Sequence, residues 1–119
     1  SDRTAADLVY EGDLSVVNGV AAGLTFRAGA DGAGYTANID AGGLVKLWRP
    51  GRDIAVYATP IVQGRTYHLK VQATGSRIQV WLDHGASPVI DAVDTTYGGG
   101  RVGLNVHEGT ATVQRLSLS

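Results

Sequence analysis

The chain contains no cysteine in its 119 residues, which excludes disulfides, thiol nucleophiles and cysteine-ligated zinc. It has no excess of charge of either sign. Lys and Arg number 10 against 11 Asp and Glu, for a net charge of −1, and no long run of like charge occurs. An electrostatic surface for nucleic acid or for an anionic membrane is therefore not expected. No apolar run approaches the ~18–20 residues of a membrane span, and the first residues carry no leader pattern. No Gly-Lys-Ser/Thr follows the glycine-rich stretch 29–34, so that stretch reads as a turn and not as a phosphate cradle. Glycine is what the chain has in abundance, 17 residues, about twice the usual ~7%. These glycines are scattered as turn punctuation, the signature of many short strands. A chain of this length is expected to form one domain over residues 1–119. It is long enough to bury roughly two thirds of its unfolded surface without a covalent or metal staple.

The densest stretch is GYTANIDAGGLVKLWRP, residues 34–50. With period two, Tyr35, Ala37, Ile39 and Ala41 fall on one face and Thr36, Asn38 and Asp40 on the other, so one face can pack while the other binds. Gly42-Gly43 supplies a tight turn, and 44–49 alternates again as an antiparallel neighbour. The same alternation predicts strands over 8–16, 22–28, 54–58, 67–74, 78–82, 89–92, 101–107 and 112–118, separated by turn signals such as Asn18-Gly19, Pro50-Gly51 and Gly75-Ser76. Residues 1–6 read as a frayed lead-in or a linker remnant. No helical period is convincing, so the expected fold is all-β: an antiparallel β-sandwich of jelly-roll, concanavalin-like type.

In order and spacing, the segments YEGDLSV, GLTFRAG, GYTANIDAGGLVKLW, TYHLKVQATGSRIQVWLD and GGGRVGLNVHEGTATVQRLSL resemble the carbohydrate-binding modules of family 66, the fructan-binding modules attached to levanases and related glycoside hydrolases. The resemblance runs from about Leu8 to Leu118. Members of that family usually begin with additional strands, and that part is absent here, which implies a piece of a larger domain, with an edge strand and part of the core surface left uncovered in this piece. A second departure is His107-Glu108, where levanase modules tend to carry Trp-Asp; imidazole is a smaller stacking face than indole.

The resemblance implies a secreted, non-catalytic accessory module that binds an oligosaccharide or polysaccharide, at the terminal fructose of levan or inulin, and serves a glycoside hydrolase catalytic domain in cis. Sugar hydroxyls call for carboxylates, amides and a cation beside an apolar surface. Polar-parity positions offer that set: Glu11 and Asp13, Arg27, Asn38 and Asp40, Lys46, Asn105, and His107 with Glu108, with Tyr35 as the aromatic neighbour. If their strands are adjacent, these residues form one patch. Arg27 is expected outside the core, where it could pair bidentately with the acids.

Other readings of the same residues stay open. Tyr35 and Trp48 also read as core or rim aromatics, and Trp81 as an exposed platform or a surface covered by a neighbouring domain. Glu11 and Asp13 point the same way, as a glycosidase pair must, but no third acid follows and the chain is short for a cleft. His68, His84 and His107 are too scattered for zinc, and no cofactor is expected, although Asp31 or Asp40 could contact a structural calcium. The rival to binding is a structural sandwich packed on a hydrolase with no ligand of its own.

Overall fold

The computed structural model describes residues 4–5, 7–107 and 109–119, apart from the side chains at positions 4, 5 and 107. Among the described residues eleven strands follow one another: β1 (Thr4–Ala5), β2 (Leu8–Asn18), β3 (Ala21–Ala28), β4 (Tyr35–Asp40), β5 (Leu44–Arg49), β6 (Arg52–Ala58), β7 (Tyr67–Thr74), β8 (Arg77–Leu82), β9 (Ile90–Val93), β10 (Gly100–His107) and β11 (Thr110–Leu118). They form two antiparallel sheets, ordered β1-β10-β3-β4-β5-β6 and β11-β2-β7-β8-β9. The expected sandwich is the observed fold. No described residue is helical, and no helix is long and apolar enough to cross a membrane. The reading of residues 1–6 as frayed is corrected at β1, where Thr4 pairs with Arg101 and Ala5 with Gly100.

Alternation explains the layers. Tyr10, Leu14 and Val16 of β2, Leu69 and Val71 of β7, and Ile78 and Val80 of β8 face Leu24 and Phe26 of β3, Tyr35, Ala37 and Ile39 of β4, and Val45 and Leu47 of β5 in one buried cluster. Each large aliphatic side chain withdrawn from water there contributes about 1.5–3 kcal/mol. The parity assigned to the 35–40 strand is the observed one.

Polar ties cross the core as well. The Tyr10 hydroxyl donates to the Gly103 carbonyl at 3.1 Å. Tyr35, counted among the candidate binding residues, is fully buried. Its hydroxyl donates to Asp94 Oδ1 at 2.6 Å and accepts from the Tyr97 N–H at 3.0 Å, so its role is to hold the 94–97 loop. Burial alone would raise the Asp94 carboxyl. Hydrogen bonds from Tyr35, from Thr96 and from Arg49 outweigh it and hold the group well below the usual carboxylate range. A depressed carboxylate contributes stability above its unfolded value, ~4, and that contribution is lost as pH falls toward its folded value. Asp94→Asn is therefore expected to lower stability by roughly 2–4 kcal/mol at pH 7. The gap to the parent should narrow as the pH drops below about 4, as followed by thermal melts; a gap independent of pH would contradict the assignment.

Arg27 is corrected too. Expected outside the core, it is only 1% exposed. The β3–β10 register shifts between Arg101 and Gly103, so two residues of β3, Phe26 and Arg27, oppose Val102 alone. Arg27 takes a left-handed φ of 52° in that bulge, which breaks period-two parity and turns the guanidinium inward. It donates to the Gly75 carbonyl at 2.7 Å and the Tyr97 carbonyl at 3.3 Å, and lies 3.6 Å from Asp7.

One edge is open. β11 ends its sheet, and the described pairing on the outer side of β10 is with β1, at Gly100 and Arg101. Tyr10, Val102, Leu104, Leu116 and Leu118 line a cleft of about 350 Å³ between β10 and β11. Leu104 and Leu116 there, and Val106 further along β10, are each nearly half exposed.

Candidate functional site

The outer face of the β10-β3-β4-β5-β6 portion holds a polar recess, and its geometry follows from register. One cross-strand row runs Asn105, Gly23, Asn38, Lys46, Val56. The row beside it runs Gly103, Thr25, Thr36, Trp48, Asp53, and the one on the other side begins at residue 107 and runs through Ala21 to Asp40. In the middle of this face, β3 presents Ala21 and Gly23, so the sheet is bare there while its neighbours carry long side chains. The result is a recess of about 240 Å³ lined by Ala21, Asn38, Asp40, Lys46, Trp48, Asp53 and Asn105.

The charges and dipoles of the recess are partly fixed by the protein. Lys46 Nζ is 3.7 Å from Asp53 Oδ2. Asp40 Oδ1 accepts the Gly42 N–H at 2.7 Å, a bond that an aspartate beside a turn commonly makes. Asn38 is 5% exposed, and its Oδ1 has no hydrogen-bond donor among the described residues. A buried acceptor without a donor costs roughly 1–3 kcal/mol, so this atom is unfinished business for the fold alone.

Four of the ten candidate residues, Asn38, Asp40, Lys46 and Asn105, thus come together. The backbone of residue 107 pairs with Ala21 at one end of the same face, while the His107 side chain and Glu108 lie outside the described residues. Trp48 and Asp53 join the recess without having been on that list. Trp48 shares its parity with Lys46, which was the available signal. Asp53 reaches it because a bulge in the β5–β6 ladder sets it opposite Trp48.

Glu11 and Asp13 do point outward, but from the other sheet, so the single patch is corrected to two. His68 bridges them, with Nε2 2.9 Å from Glu11 Oε1 and Nδ1 2.8 Å from Asp13 Oδ1. The His68 hydrogen bond holds the Asp13 carboxyl below its usual value. Arg115, in a second left-handed bulge with φ 56°, lies 3.7 Å from Asp13 Oδ2.

Three similarities decide the family. The chain is 38% identical over 126 residues to a levanase of Bacillus subtilis (strain 168), covering 98% of this chain and 18% of that protein. It is 36% identical over 129 residues to a levanase of Bacillus sp. (strain L7), covering 100% of this chain and 14% of that protein. A solved structure, the carbohydrate-binding module CBM66 from Bacillus subtilis, superposes with a TM-score of 0.91 at 38% identity, over 98% of this chain and 76% of that one. The chain belongs to carbohydrate-binding module family 66. No family model in the scan matches it.

Membership of family 66 makes the chain an accessory unit and not a catalytic one. Glu11 and Asp13 each give one carboxylate oxygen to a single imidazole, that of His68. The chain spans less than a fifth of either levanase, 18% and 14%. Asp31 Oδ1 accepts the Ala33 N–H at 3.0 Å, a turn bond like that of Asp40. Among the described residues no three His, Asp or Glu side chains gather as a metal site.

Proposed function

We propose that this family 66 module binds the end of a neutral glycan, the terminal fructose of a β-fructan such as levan or inulin, in the recess between Asn105 and Trp48. It acts as one secreted binding domain, concentrating substrate for a glycoside hydrolase catalytic domain in cis, and performs no chemistry. The similarity to two levanases supports the substrate class. The observation that carries the site is the buried Asn38 Oδ1 on a recess lined by carboxylates, an ammonium, a second amide and an indole.

These groups suit a sugar ring. Asp40, Asp53 and the two amides accept from hydroxyls, Lys46 and the amide nitrogens donate, and Trp48 offers an apolar face to ring C–H groups. At about 240 Å³ the recess is below the ~300–1,000 Å³ of drug-sized pockets, which favours one terminal unit over an extended chain. Affinity is modest on this account, because each hydroxyl contact replaces one with water. Calorimetric titration with levan, inulin and their short oligosaccharides, with arabinan and xylan as controls, is the test. Binding confined to fructans and weakened at least about tenfold in Asn38→Ala is expected; no heat with any glycan from the folded domain would leave a structural sandwich instead.

A further inference from the structure

The molecule has a second cleft of similar make-up on the opposite sheet. It measures about 320 Å³ and is lined by Glu11, His68, Lys70, Trp81, His84, Gly85 and Ala86. It lies on the outer face of β2, β7 and β8, where Glu11 pairs with Lys70 and Lys70 with Trp81 in one cross-strand row.

Its walls are held in place by the protein's own contacts. Both ring nitrogens of His68 are taken by Glu11 Oε1 and Asp13 Oδ1, so the His68 plane is fixed. His84 stacks on that plane, with ring centroids 3.9 Å apart and 14° between the planes. Asp83 and His84 both adopt left-handed backbone, φ 53° and 58°, which is the tight turn that folds His84 back over β7. Asp83 Oδ1 anchors that turn by accepting the His68 N–H at 2.9 Å. Lys70 Nζ sits 5.2 Å from the centre of the Trp81 ring, attracted by the π face. Glu11 spends one carboxylate oxygen, Oε1, on His68.

We infer that this cleft is a second, weaker binding site for a sugar unit of the same neutral glycan, with Glu11 and Lys70 contacting hydroxyls and Trp81 and His84 supplying apolar edges. The inference rests on the proposed glycan binding. A cation and an anion side by side disfavour a strongly charged ligand and suit hydroxyls, which both donate and accept. Pre-set side chains also lower the ordering cost of binding. Two sites on opposite faces let one module hold two chain ends, which raises avidity for a branched polymer over a short oligosaccharide.

The chain's 2 tryptophans divide between the sites, Trp48 in the recess and Trp81 in this cleft, so each site has its own fluorescent reporter. Trp48→Phe leaves Trp81 as the sole indole, and Trp81→Phe leaves Trp48. Titrating both variants with short levan- and inulin-derived oligosaccharides is expected to give saturable emission changes in each, with the Trp81 midpoint at higher sugar concentration. In the Trp48→Phe background, Glu11→Gln and, separately, Lys70→Met should each shift the Trp81 midpoint at least about fivefold. Lys70→Met preserves the Glu11–His68–Asp13 contacts, so it reads the cleft even if Glu11→Gln disturbs the fold. A flat Trp81 signal while Trp48 saturates overturns the second site alone. Flat signals from both overturn it together with the glycan-binding reading, whereas a saturable Trp81 response beside a silent Trp48 supports the cleft and removes the recess.

Discussion

Gly23→Ala is expected to weaken glycan binding by roughly two orders of magnitude, more than removal of any one hydrogen-bonding side chain. A Cβ at Gly23 would lie 2.5 Å from Asn38 Cβ and 2.5 Å from the Ala37 carbonyl oxygen. Atoms do not approach so closely, so either Asn38 leaves the floor of the recess or β3 and β4 separate. Alanine in a strand normally stabilises over glycine by about 0.5–1 kcal/mol through lost unfolded-state freedom. Here overpacking reverses the sign, at a cost of roughly 1–3 kcal/mol. The variant is expected to remain folded with a lowered melting temperature, and calorimetry on it should show almost no fructan binding. Affinity equal to the parent's would remove the recess from consideration, because nothing on that face is more sensitive to the bare surface of β3.

Arg27→Ala is expected to do the reverse, damaging the fold and sparing the site. The guanidinium joins a bulge in one sheet to the turn at Gly75 in the other and to the Tyr97 carbonyl. Its loss leaves two carbonyls short of donors and a void beside the core, a loss of roughly 3–5 kcal/mol and on the order of 10–20 °C in melting temperature. Alanine tolerates the left-handed backbone no worse than arginine does, so the change reports on the side chain. Well below the melting temperature, the folded fraction should bind fructan with the parent's affinity. A variant of full stability that does not bind would reinstate Arg27 as a ligand-contacting residue.

The contrast between these two positions shows where sequence reading succeeds and where it fails. Alternation identifies the polar side of β4 and β5: Asn38, Asp40 and Lys46 face outward, and Tyr35, Ala37 and Ile39 face inward. Parity carries no information about which sheet a strand joins. Glu11 and Asp13 were therefore grouped with Asn38, although β2 pairs with β7 and β11 while β4 pairs with β3 and β5. Sheet membership depends on long-range crossovers that no local pattern encodes. Bulges are the second limit. Each inserts one residue and reverses the parity beyond it, which hid the inward turn of Arg27 and the approach of Asp53 to Trp48. Gly23 was legible as a small residue in a strand, yet its meaning as a floor needed Asn105 on one side and Asn38 on the other.

The apolar surface beside β10 bears on how the module behaves in concentrated solution. Strand β10 shows Asn105 to the recess and carries Leu104 and Val106, each nearly half exposed, at the alternate positions. These apolar side chains can attract an apolar surface of another molecule, and a net charge of −1 provides little colloidal repulsion to keep copies apart. Crowding thus acts first on the strand that forms one wall of the recess, so self-association and sugar capture compete for the same piece of polypeptide.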